Sequence, residues 1–294
     1  MTGGRRAALA IGVPVCLLLV GVLGVSLVVD FAEGDYPVSY TIPAATEALT
    51  LNVTGQLTIQ PTKARQGTVT GKATYSLLRP AVTEHTSGDA TTLGYGCDFP
   101  SRNCGLDATV TIPATVTTLT ASSGGGNATV TGTTGPLNLS SGDGNLSVDH
   151  ASGPVTLNTD SGDIRVSAIT SAVLYASTGD GNVQATGVTS ATIRVNTNNG
   201  AISGSGIATT SISASSGDGN IVITFSSVPR DVHVNTDSGS ITLLLPPGPT
   251  QYHVAANTGS GNITDGSLPK TTNQSAPNQI TASTGDGNIT ISQQ

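Results

Sequence analysis

Tryptophan is absent from this 294-residue chain, phenylalanine occurs three times, methionine once, and only 10% of the residues are charged. So few large apolar side chains cannot fill a thick core of the ordinary globular kind. That leaves disorder or a thin, repetitive architecture, and periodicity decides between them. Basic residues are scarce too: 11 Lys and Arg stand against 18 Asp and Glu, a formal net charge of −7. This balance argues against nucleic acid or an anionic membrane surface as a partner, since both are bound through basic patches. No His-x-x-x-His or Cys-x-x-Cys spacing occurs among the four histidines, His85, His150, His233 and His253, and the three cysteines. Nothing in the sequence calls for a cofactor or a metal.

What is present begins with one long apolar run. Arg5 and Arg6 precede an uncharged stretch from Ala7 to Val29, and Asp30, Glu33 and Asp35 follow at once. At about 1.5 Å per residue this run is long enough to cross a hydrocarbon core of roughly 30 Å. It exceeds the usual apolar region of a cleavable signal peptide. The sequence therefore predicts an uncleaved transmembrane anchor at 7–29, lying in the lipid bilayer. The basic flank leaves residues 1–6 in the cytoplasm and the rest of the chain outside the membrane. Cys16 falls inside the run and reads as a membrane-embedded thiol. Residues 30–48 read as a short stalk, and residues 49–118 as an N-terminal β cap outside the main repeat. Cys97 and Cys104 lie in this cap, in TLGYGCDFPSRNCGLD. A pair so close together in an exported segment predicts a disulfide closing a short loop.

From residue 119 the chain repeats itself. An aliphatic or Ala anchor follows each Gly-rich turn: Ala128, Leu146, Ile164, Val183, Ile202, Ile221, Ile241, Ile263 and Ile289. Nine residues before each anchor stands Leu, Ile or Val; seven before, Leu, Val or Ala; five before, always Ser or Thr. Six before, every residue is Ser or Asn. Strict alternation is the period of a strand. Each repeat is therefore a strand, a tight turn, a second short strand and a return segment. One repeat cannot bury its inward row alone, but stacked repeats can, at about 4.8 Å per rung. The prediction is an all-β fold: a parallel β-solenoid of about nine ~19-residue rungs over 119–294, preceded by one transmembrane helix.

The turns read SSGDGN or STGDGN, with NTDSGD, NTNNGA and NTDSGS between. Their structural glycines, Gly142, Gly144, Gly179, Gly181, Gly217, Gly219, Gly285 and Gly287, are expected at positive φ, which a sharp corner demands. Asp143, Ser161, Asp180, Asn199, Asp218 and Ser238 share one column, so carboxylates fall on every second rung, where stacked like charges would destabilise.

This order of features resembles the actinobacterial members of the putative-adhesin family, a β-strand-repeat domain of unknown function. The features that carry the likeness are the anchoring helix, the Cys…Cys loop running into DATVTIPA (107–114), and serial T-G-x-G turns before Ile or Val. The likeness covers about residues 49–294. It implies a cell-envelope location, a right-handed β-solenoid, and no established catalytic residues.

Sharper chemistry is harder to support. Calcium wants 6–8 oxygens, but the turns return every 19 residues with one carboxylate per column on alternate rungs. An inverting glycosidase needs two carboxylates with different roles. Asp143, Asp180, Asp218 and Asp286 recur as turn residues do, and Tyr175 is the sole aromatic on a repeat's first strand between 119 and 220. The Asn-x-Ser/Thr triplets at Asn127, Asn138, Asn145, Asn262 and Asn288 arise mostly because a turn Asn precedes an alternating strand. The expected function is a non-enzymatic, adhesin-like or spacer module at the cell surface, its partner an envelope protein or a surface glycan. An envelope-stress sensor or scaffold docking a membrane partner is the alternative, with a polysaccharide-active enzyme third.

Overall fold

Alternating sequences with Ser, Thr and Asn on one face and aliphatic residues on the other cannot bury both faces, and the structure solves this by winding. The computed structural model describes residues 33–76, 79–96, 104–266 and 268–294. Among these residues there are strands, turns and bends but no helix. The anchor at 7–29, the tail at 1–6, Cys16 and Cys97 lie outside the described residues.

The first strands of the repeats pair in parallel with one another, and so do the second strands. Leu137 pairs with both Leu119 and Val155, and Leu174 continues from Val155 to Ile193 and Ile212. In the other sheet Leu146, Ile164, Val183, Ile202, Ile221 and Ile241 stand in line. These inward rows are buried and form one continuous core. The third side of the coil adds Ala151, Ile169, Val188 and Ile207 to it.

Two departures from sequence order occur, one at each end. At the C-terminal end Ile241 pairs with Ile289, not Ile263, and Ile263 pairs with Ile289 from the far side. The last repeat of the sequence is thus inserted one rung inward, and the repeat of His253–Ser260 and Ile263–Thr264 becomes terminal. Its composition explains this. Two residues after the anchor, where the inner rungs carry Val130, Val148, Val166, Ala185, Gly204, Ile223, Leu243 or Ile291, this rung has Asp265. A carboxylate at an inward position is tolerable only at the open end, where Asp265 reaches Lys270 at 2.9 Å. The swap also keeps the acid alternation intact: Ser238 is followed in space by Asp286, then by Ser260.

At the N-terminal end, residues 49–118 do not all lie outside the register. Ala48–Val53 and Leu57–Pro61 form a rung directly below the 119–131 repeat, with Leu49 on Leu119 and Leu57 on Ala128. Ala90–Tyr95 and Gly105–Ile112 form a further rung beyond it. The segment read as a stalk contains a ten-residue strand, Glu33–Ile42, antiparallel to Gly67–Ser76, which is antiparallel to Gly105–Ile112. Val82–Ser87 covers the other sheet, antiparallel to Ala90–Tyr95. Antiparallel strands therefore cap this edge, protecting it from pairing with other chains.

Candidate functional site

The recurring polar residues of the corners are the obvious place to look for chemistry, and their hydrogen bonds show what they do. The Ser or Thr five before each anchor is buried in every rung but the terminal one, where Thr258 is half-buried. In the five rungs from Ser141 to Ser216 its hydroxyl accepts from a Gly N–H of its own turn and donates to a Gly carbonyl of the rung below. Thr236 and Thr284 still donate to Gly219 O and Gly239 O, but the Gly239 and Gly287 N–H groups donate to Asp286 O and Ser260 O instead. Gly181 N–H donates to Thr178 Oγ1 at 3.1 Å, and Thr178 Oγ1 donates to Gly162 O at 2.9 Å. Thr197 and Ser216 repeat the pattern against Gly181 O and Gly200 O. A column of hydroxyls thus satisfies corner backbone groups that no ladder reaches. Both Ser and Thr supply the hydroxyl, so the column admits either and nothing else found there.

A second ladder stands just before the anchors. Asn127 Oδ1 accepts from Asn145 N–H, Asn145 Oδ1 from Asp163 N–H, and Asp163 Oδ1 from Asn182 N–H, each at 2.8 Å. Asn182 Oδ1 accepts from Ala201 N–H, where the side chain needed to continue is missing; Asn220 Oδ1 resumes the series with Ser240 N–H. Asn127, Asn145, Asn262 and Asn288, each the first residue of an Asn-x-Ser/Thr triplet, stand in this column.

The eight structural glycines sit at the corners, but the expected reason for them is corrected. Of the set only Gly287 has a left-handed φ, +156°. The general requirement is close approach. A Cβ on Gly144, Gly181 or Gly219 would lie 1.9, 2.0 or 1.9 Å from the carbonyl oxygen of a glycine in the rung below. On Gly142, Gly179, Gly217 and Gly285 it would lie 2.4, 2.3, 2.1 and 2.5 Å from the carbonyl oxygens of Gly124, Asp160, Asn198 and Asp237. Left-handed residues occupy a different corner, four after the anchor: Gly132, His150, Ala168, Gly187 and Gly206, with φ between 51° and 69°. His150 and Ala168 accept that strain without being glycine. His150 Nδ1 lies 2.6 Å from Asp149. The Ser167 hydroxyl, then the His150 ring, hold the Asp149 carboxyl below its ordinary value.

The corner aspartates do not assemble into a site of differentiated acids. Asp180 accepts from the Asn199 amide of the next rung, so adjacent members of the column share a hydrogen bond. Among the described residues no three His, Cys, Asp or Glu side chains group closely enough to hold a metal ion. Cys104 is half-buried against the core.

One region of the outer surface differs from the rest. On the first-strand sheet, Tyr175, Arg194, Ser213 and His233 stand in successive register, with Asp231 in the neighbouring column. They line a depression of about 450 Å³ floored by Ile193 and Ile212 and flanked by Asn196. Sequence reasoning noted Tyr175 only for its isolation and did not single out Arg194 or Asp231. The available signal was that three of four successive repeats depart here from Ser, Thr and Asn at one outward position, as Tyr175, Arg194 and His233, with Ser213 between.

No curated protein matches the chain. Solved structures of low identity align with it. They include a putative adhesin from Bacteroides fragilis, 12% identical, covering 88% of this chain and 97% of that one, with a TM-score of 0.39. Another is a putative adhesin from Parabacteroides merdae, 15% identical over 88% and 95%, with a TM-score of 0.34. A putative cell adhesion protein from Clostridium sporogenes is 13% identical over 88% and 100%, with a TM-score of 0.21. The Toastrack DUF4097 family model matches residues 46–292, from the first in-register rung to the last, and the chain belongs to that family.

Proposed function

We propose that the chain is a membrane-anchored, extracytoplasmic module without catalysis of its own, acting as an adhesive or spacing rod whose polar faces meet the envelope or another cell. The observation that carries this reading is how the recurring polar residues are used. The corner Ser and Thr hydroxyls and the Asn and Asp amide or carboxyl oxygens bond to the backbone of neighbouring rungs. Residues repeated for stacking are a different thing from a catalytic constellation, which needs unlike environments for its members. The outer faces keep Ser, Thr and Asn exposed or half-exposed along a stack that extends roughly 50 Å at the spacing of paired strands. The coil is taken as right-handed, the hand that parallel crossovers adopt. Arg5 and Arg6 before the apolar run and Asp30 to Asp35 after it support an anchor with the solenoid outside. Cys97 and Cys104 close the cap loop as a disulfide in that compartment.

The experiment has two arms. Protease added to intact protoplasts is expected to digest the chain beyond residue 30, and protection of that part would contradict the orientation. Beads coated with the chain are expected to attach to cells or isolated envelopes; beads that never attach would leave only the spacing role.

A further inference from the structure

The outward positions of the first-strand sheet are mostly Ser, Thr or Asn because like polar residues stack well in register. The column that starts Thr120, Asn138, Thr156 continues upward as Tyr175, Arg194, Ser213 and His233, and then returns to Thr281. Nothing in the stack asks for that change. Tyr175 is half-buried while Arg194, Asp231 and His233 are exposed. The small Ser213 between Arg194 and His233 leaves the gap that becomes the 450 Å³ depression.

Lys72, Arg165 and Lys270 each pair with an aspartate, at 3.3, 3.3 and 2.9 Å. Arg194 is one of several described cations, with Lys63, Arg65, Arg79 and Arg230, that make no ion pair among the described residues, although the chain carries a net charge of −7. It is the one that lines this depression. An exposed guanidinium offers a planar fork of donors suited to a carboxylate. Beside it Tyr175 presents an aromatic face, while Asn196, Ser213 and Asp231 offer donors and acceptors of the kind hydroxyl groups need.

We propose that this depression binds a short glycan bearing a carboxylate. Arg194 takes the carboxylate, Tyr175 supports the apolar face of a pyranose ring, and Asn196, Asp231 and His233 exchange hydrogen bonds with its hydroxyls. Tyr175 to His233 spans three rung steps, roughly 14 Å, the length of a di- or trisaccharide. Asp231 is the one carboxylate in the lining, so the site is built to hold a sugar and lacks the acid pair that would cleave it. This deepens the adhesion reading and rests on it.

The test is calorimetric titration of the full-length chain in detergent with trigalacturonate and a sialic-acid trimer, against a neutral galactose trisaccharide. At least one acidic sugar is expected to bind tenfold more tightly than the neutral one. Arg194→Gln should remove that preference, and Tyr175→Ala should weaken both kinds of sugar. Arg165→Gln, an exposed cation on the other sheet, should change neither, and all three variants should melt as the wild type does. Equal affinity for acidic and neutral sugars, no binding of either acid, or equal losses from Arg194→Gln and Arg165→Gln would each overturn the proposal. Displacement of the sugar by inorganic phosphate at equal concentration would overturn it too, by showing a generic anion site. Coated beads separate it from the adhesion reading. Wild-type and Arg194→Gln beads attaching alike would refute the site alone. Sugar binding without any attachment would refute adhesion alone.

Discussion

Replacing Thr197 by valine deletes one hydroxyl from the corner column while keeping the side chain's shape. That hydroxyl accepts from Gly200 N–H at 3.0 Å and donates to Gly181 O at 2.9 Å, and the residue is 5% exposed. Valine leaves a buried donor and a buried acceptor without partners. Each unsatisfied group costs about 1–3 kcal/mol, so the expected loss from the two is about 2–6 kcal/mol. Thr197→Ser keeps both hydrogen bonds and removes one methyl, for about 1 kcal/mol by the usual burial coefficient. Ser141 and Ser216 already occupy the column, so the geometry accepts serine. Urea unfolding of the three proteins measures the global difference. Because stacked repeats can open locally, amide exchange at Gly200 should be read alongside. Faster exchange at Gly200 in the valine variant, with the serine variant near wild type, is the expected result. A valine variant as stable as the serine one would refute the role given to the hydroxyls.

Other expectations follow from particular positions. Ala168 is exposed at φ 51°; glycine there relieves about 1–2 kcal/mol of left-handed strain and returns part of it as unfolded-chain entropy, so Ala168→Gly should stabilise by about 0.5–1 kcal/mol in a thermal melt. Thr242 pairs with Thr290 across adjacent rungs, while Thr264 is the partner of Thr290 on its far side. Cysteines at 242 and 290 should therefore form a disulfide on oxidation, and cysteines at 242 and 264 should not; the opposite result would restore sequence order to the last rungs. Ser167→Ala should raise the Asp149 carboxyl toward its ordinary value, seen by NMR titration. Because the folded-state value is depressed, the Ser167–Asp149 contribution to stability is present above the ordinary carboxyl range and is lost as pH falls through the lowered one. Wild type and variant should thus differ at neutral pH and converge in acid.

The repeat was legible because each rung obeys two rules at once, alternation along the strand and identity down the column. Leu137, Val155 and Leu174 could be aligned by eye, and they are paired in space. Periodicity reports order along the chain, however, and the end rungs are not stacked in that order. Asp265 at an inward position was the available clue that its rung is terminal. The always-hydroxyl column was visible, but its cause needed the neighbouring rung's carbonyls. The glycines misled for a similar reason: one chain shows a turn, whereas the clash lies with the rung below. The left-handed corner was hidden by His150 and Ala168, where glycine would have marked it. Glu33–Ile42 does carry an inward row, with Val38 and Ile42 buried and Tyr36 and Tyr40 packed partly buried against the core. It follows the acidic flank of the apolar run and lies outside the 19-residue register, so periodicity did not mark it. The depression around Arg194 depends on adjacency between repeats, which a linear reading does not bring together.

The central claim is that the recurring corner residues serve the stack and perform no chemistry. Its most direct test is a set of four variants, Asp143→Asn, Asp180→Asn, Asp218→Asn and Asp286→Asn, with Gly181→Ala as the contrast. Thermal melts and turnover of a polysaccharide panel are measured for each. The account predicts that every Asn variant melts close to the wild type, since Asn199 already fills this column. Gly181→Ala should melt far lower, because its Cβ would meet Gly162 O at 2.0 Å. No variant should alter turnover. One aspartate whose replacement abolishes a wild-type hydrolytic activity, with melting unchanged and its three counterparts silent, would contradict the account.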